Sequence, residues 1–69
     1  MRRLSKIKLS ILQTACRFPY ITNRTYFVEK RWLWNEGYLA SYVKVINGES
    51  CIISGCYVIT DKGRDALNG

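Results

Sequence analysis

The sequence predicts an α+β domain with two main helices, a two-stranded β-hairpin and a short C-terminal helix. Apolar residues recur at helical spacing from Leu4 to Arg17. Two runs rich in β-branched and aromatic residues flank an Asn47-Gly48 pair, and the second run stops at Thr60 and turns at once into a helix-forming segment. In a chain of 69 residues these elements make a single domain, residues 1–69. A domain of that size buries only about 60% of its unfolded surface, so the core must be small. The composition, 48% hydrophobic and 13% aromatic with one proline, is too apolar for a disordered tail.

Leu4, Ile7, Ile11, Leu12 and Ala15 share one face of the first helix, with Lys6, Ser10 and Gln13 on the other side. Leu9 and Cys16 widen the apolar face beyond the needs of one small core, leaving a flank for the strands or for another copy of the chain. Pro19 stops this helix because it disfavours helical geometry in the residue before it. Residues 1–3 are expected to form a flexible basic arm. Thr22 or Asn23 can cap a second helix running from Arg24 to Trp34, which Gly37 ends by taking the left-handed conformation. Tyr26, Phe27, Val28, Trp32, Leu33 and Trp34 surround that helix, and a helix apolar nearly all round is buried on more than one side or awaits a partner. The strands are expected at Tyr38 to Ile46 and Cys51 to Thr60. Asn47-Gly48 tolerates the positive φ of a tight hairpin turn, and Gly55 permits a bulge or kink. Thr60 can cap the last helix, Asp61 to Asn68, with Asp61 where a carboxylate meets the positive end of the helix dipole.

Eleven Lys and Arg against five Asp and Glu leave a net charge of +6, which favours nucleic acid, an anionic membrane or an acidic protein surface. No apolar run approaches the about 18 residues that span a bilayer, and no secretory apolar region follows Met1-Arg2-Arg3. The chain is therefore read as cytoplasmic, without a membrane partner. Three cysteines, Cys16, Cys51 and Cys56, occur without any histidine, and the four residues between the last two suit neither a zinc ribbon nor a redox pair. They are expected to be small apolar packing residues in a reducing compartment, and neither metal nor cofactor is expected. The carboxylates are scattered in capping or charged contexts and no glycine-rich phosphate loop follows a strand, so the chain is not read as an enzyme.

The order of a helix, a Gly37-Tyr38-Leu39 exit, two strands and a short terminal helix is accompanied by two short runs, Asn35-Glu36-Gly37-Tyr38-Leu39 and Tyr57-Val58-Ile59-Thr60-Asp61-Lys62-Gly63-Arg64. Together they resemble the second half of a winged helix-turn-helix domain of small bacterial and phage regulators, over residues 22 to 68. The four residues between Arg17 and Thr22 are too few for a separate second helix. Either that helix is reduced to one turn or the chain is a trimmed relative. Lys30 stands seven residues before Gly37, where the family usually places an apolar core residue.

The resemblance implies that the helix before the hairpin is a recognition helix with its N-terminal half facing the major groove, and that the hairpin is a wing on the backbone or minor groove. Asn23, Arg24, Thr25 and Tyr26 would then form the exposed start of that helix and read bases, with Lys30 one turn further along. Arg24 suits a bidentate contact to guanine, and Asn23 suits adenine or a phosphate. Helix capping is the plain structural alternative for Thr22 and Asn23. Lys44 and Asn47 on the wing would approach the backbone, although Glu49 at the tip repels phosphate. Arg2, Arg3 and Lys6 would neutralise phosphates from the N-terminal arm.

The expected function is binding of double-stranded DNA, by a dimer, as a transcriptional regulator of phage or plasmid type. The alternative is a phage-encoded inhibitor or interaction protein that docks on an acidic host protein through Trp32, Trp34 and Tyr38. Most of Tyr20, Tyr26, Phe27, Trp32, Trp34 and Tyr38 are expected to form the core, and the remainder would be hot spots for such a partner. A third reading is an excisionase-like architectural factor that bends DNA for a recombinase.

Overall fold

The computed structural model describes residues 4–68, so the basic arm, with Arg2 and Arg3, lies outside the described residues. Three helices and a three-stranded antiparallel sheet follow in the order α1 (Lys6–Arg17), β1 (Ile21–Thr22), α2 (Phe27–Asn35), β2 (Leu39–Ile46), β3 (Glu49–Ile59) and α3 (Asp61–Asn68). The sheet order is β1-β3-β2.

Ser5 opens α1 from an extended conformation, its hydroxyl accepting the Lys8 N–H at 3.3 Å. The helix ends at Phe18, whose extended φ of −116° and ψ of 155° are those that a following proline imposes. Beyond Pro19 the chain stays extended, and Ile21 and Thr22 pair with Tyr57 and Cys56 of β3. The sequence pattern does not predict this third strand. Two residues carry no visible alternation, and the pairing depends on a partner far along the chain.

The second helix starts later than expected. Thr22 is committed to the sheet, and the Asn23 N–H donates to the Gly55 carbonyl at 2.9 Å, so neither residue caps a helix. Residues 23–26 bend instead, Tyr26 takes a left-handed conformation at φ 50°, and α2 begins at Phe27 with no side-chain cap. Its far end follows expectation. The Gly37 N–H reaches the Trp34 carbonyl at 3.2 Å and the Tyr38 N–H reaches Leu33 at 2.8 Å, with Gly37 at φ +87°, which is a Schellman ending.

Asn47 and Gly48 both have positive φ, as a tight hairpin turn requires, and join β2 to β3. Ser41 pairs with Tyr57 but its neighbour Tyr42 pairs with Ile53, so Ser54, Gly55 and Cys56 form a bulge in β3 that turns toward β1. Gly55 sits at φ +75° inside it. Thr60 caps α3, its hydroxyl accepting the Gly63 N–H at 3.1 Å and facing the carbonyls of Gly37 and Tyr38. Gly63 is buried, packed so closely that a Cβ there would collide with the Tyr38 carbonyl and Ile59.

The core consists of Ile11, Leu12 and Ala15 of α1, Ile21, Leu33, Leu39 and Ile59. None of the six aromatic residues expected to build it is among them. Tyr38 packs at its margin, whereas Tyr20, Tyr26, Phe27, Trp32 and Trp34 are exposed. Cys16 is likewise exposed rather than packed, while Cys51 and Cys56 are half-buried, and all three are free thiols. Residues 43–50 of the hairpin project beyond the core, which gives a molecule of 43 × 22 × 20 Å.

Candidate nucleic-acid interface

Burying Leu33 completely turns the 27, 31 and 34 positions of α2 away from α1. Phe27, Arg31 and Trp34 thus form an exposed strip beside the hairpin. A shallow hollow of about 270 Å³ opens between α2 and the sheet, lined by Arg31, Trp34, Ser41 and the β3 bulge. Arg31 is its only charged residue. Trp34 is oriented by its indole N–H, which donates to the Ser41 hydroxyl at 3.1 Å. Sequence reasoning passed over Arg31, although its position four residues after Phe27 and three before Trp34 places the three side chains on one helical face.

The loop before α2 carries Asn23, Arg24, Thr25 and Tyr26, all exposed. They precede the helix rather than form its first turn. Arg24 is the free cation of this group. Asn23 packs against Gly55, where a Cβ would come within 3.1 Å of its amide oxygen. Thr25 accepts a hydrogen bond from Lys30 at 3.3 Å.

Lys30 is corrected from its expected place on the DNA-facing side. Only 7% exposed, it donates to the Thr22 carbonyl at 2.6 Å and ties the 22–25 segment to α2. Burial lowers its pKa from the ordinary value. Its ammonium therefore has a structural task, holding the segment before α2 against the helix.

Lys44 is exposed on β2 opposite Cys51, Asn47 is exposed at the hairpin turn, and Lys6 is exposed in the first turn of α1. Among the described residues the one ion pair joins Arg64 to Asp61 at 3.4 Å, so Lys6, Arg17, Arg24, Arg31 and Lys44 have no carboxylate partner. Trp32 and Tyr38 stack at 6.0 Å, with the Lys8 ammonium 3.9 Å from the Trp32 ring centroid and the Lys62 ammonium 4.6 Å from that of Tyr38. Lys62 also donates to the Glu36 carbonyl at 2.7 Å. Of the three aromatic residues expected to meet a protein partner, Trp34 thus lies apart, on the hairpin side of α2.

The described residues gather no group of three metal-ligating side chains, and none of their helices is long and apolar enough to cross a membrane. No family model, curated protein or solved structure matches the chain.

Proposed function

We propose that this chain binds double-stranded DNA in the manner of a winged-helix protein, with α2 against the major groove and the hairpin along the backbone. The observation that carries this reading is the placement of Arg24 and Arg31, both exposed and without carboxylate partners, on either side of the uncapped start of α2. Free N–H groups at a helix start together with adjacent guanidinium groups attract phosphate, and Arg also reads guanine edges. Lys44 extends the positive surface onto the hairpin; Glu36, Asp61 and Asp65 lie at the other end of α2 and on α3, whereas Glu29 stands in the first turn of α2 and Glu49 at the start of β3. A helix followed by a two-stranded hairpin supports the winged-helix comparison. The chain has no separate helix between β1 and α2, so α2 and the 23–26 loop alone would meet the groove.

The test is fluorescence anisotropy with random-sequence duplex at about 50 and about 200 mM salt, the range over which phosphate-driven binding collapses. Binding at low salt that is steeply lost at high salt is expected. Arg24→Ala should cost about 1–3 kcal/mol on a selected site and relax preference at one base pair. Negligible binding at low salt would remove the proposal.

A second reading, an interaction protein, draws on the hairpin, where Val43, Val45 and Ile52 are exposed, Ile52 to 72%. Such apolar exposure on a projecting ribbon suits a protein surface. Under this reading Trp34→Ala abolishes partner binding and DNA affinity is feeble at physiological salt.

A further inference from the structure

An open groove of about 950 Å³ lies between α1 and the segment that runs from Phe18 through β1 to Tyr26. Its wall is one flank of α1, where Ile7, Ile11 and Thr14 follow one another at helical spacing, Ile11 at the edge of the core. Phe18, Tyr20 and Ile21 form the opposite side. None of the described residues covers it, and Ile7 and Phe18 remain 45% and 59% exposed. From Lys6 to Phe18 the helical rise gives a length of about 18 Å, which matches three turns of a docked helix.

Every charged side chain lining the groove is a lysine, Lys6 at the rim and Lys30 at the base. Lys30 is more than nine-tenths buried, and its ammonium has three donors, of which Thr22 and Thr25 accept two. No carboxylate of the described residues pairs with it. A buried cation without a counter-charge is costly, and a carboxylate brought by a partner would offset that cost. A second copy of this chain, itself at +6, would bring positive charge to a positive groove.

We infer that the groove receives an acidic amphipathic helix of a partner protein, its apolar residues at i, i+3 or i+4 and i+7 seated along Ile7 and Phe18 and its carboxylates directed to Lys6 and Lys30. This helix-in-groove recognition does not rest on the DNA-binding reading, although Thr25 and Tyr26 border both surfaces. It is read from a concavity on α1, not from the hairpin side of α2.

The experiment selects random 16-residue peptides displayed on phage against the full chain, then resynthesises an enriched sequence and its counterpart with every Asp and Glu replaced by Lys. Enriched peptides should be acidic with apolar residues at helical spacing, and the lysine counterpart should bind at least tenfold more weakly. Ile7→Asp and Lys6→Glu should each weaken the acidic peptide at least tenfold. The second variant places a carboxylate in the first turn of α1, where the helix tolerates it, and circular dichroism verifies both folds. Absence of enrichment, enrichment without acidic bias, or affinity indifferent to both variants would overturn the inference. So would a dimer in sedimentation that Ile7→Asp dissolves, since the groove would then belong to a second copy.

Discussion

Lys30 shows how one residue's chemistry follows from its surroundings rather than its type. Desolvation lowers its pKa below the ordinary 10.5, so the unfolded chain holds the proton more tightly than the folded one. Stability contributed by this group must then rise with pH between the depressed folded value and 10.5, the penalty being complete below that window and gone above it. Comparing urea midpoints of wild type and Lys30→Met at pH 7 and at about pH 10 cancels the tyrosine titrations common to both. The wild type should gain relative to the variant at the higher pH, and parallel midpoints would show that Lys30 is not desolvated. Gly63 offers a second single-residue test with an unusual sign. Alanine normally stabilises a helix, yet here its methyl group would meet the Tyr38 carbonyl and Ile59, so Gly63→Ala should destabilise by about 1–3 kcal/mol in chemical denaturation.

Among the elements, β1 and the bulge of β3 depend on each other. The bulge rotates Cys56 toward Thr22 and directs the Gly55 carbonyl at the Asn23 N–H, so the loop before α2 hangs from the bulge. Gly55→Ala would force a methyl group into a left-handed backbone and against the Asn23 side chain, at a cost of about 1–2 kcal/mol. Hydrogen exchange should register the change locally, with a faster Asn23 amide and an unaltered Leu33. Uniform acceleration over the whole chain would contradict that local linkage.

Taken as one molecule, the protein has a core too small for its aromatic complement. Seven buried apolar side chains fill it, and the tryptophans find their partners at the surface, Trp32 on Tyr38 and Lys8, Trp34 on Ser41. The net charge of +6 is similarly divided by the fold: Lys30 is internal, Lys8 and Lys62 are held on rings, and Arg24, Arg31 and Lys44 are free to meet phosphate. For DNA binding this division has a measurable form. Arg31→Ala should reduce the slope of log K against log salt by about 1, whereas Lys30→Met should leave the slope unchanged.

The sequence alone was sufficient for α1, the Gly37 helix ending, the Asn47-Gly48 turn and the Thr60 cap, because each rests on periodicity or on hydrogen bonds between residues at most a few positions apart. Gly55 also announced its bulge. The rest depended on chain segments meeting in space. Ile21 pairs with Tyr57, Asn23 with Gly55, and those contacts convert an expected helix start into a bend and carry Asn23 to Tyr26 off α2. The same rearrangement draws Lys30 inward onto Thr22 and leaves one flank of α1 open as a groove. Local propensity could not anticipate this, since Thr22 and Asn23 are good caps whose backbone groups were claimed first by the sheet, and a backbone N–H or carbonyl paired in a ladder is no longer available to begin a helix.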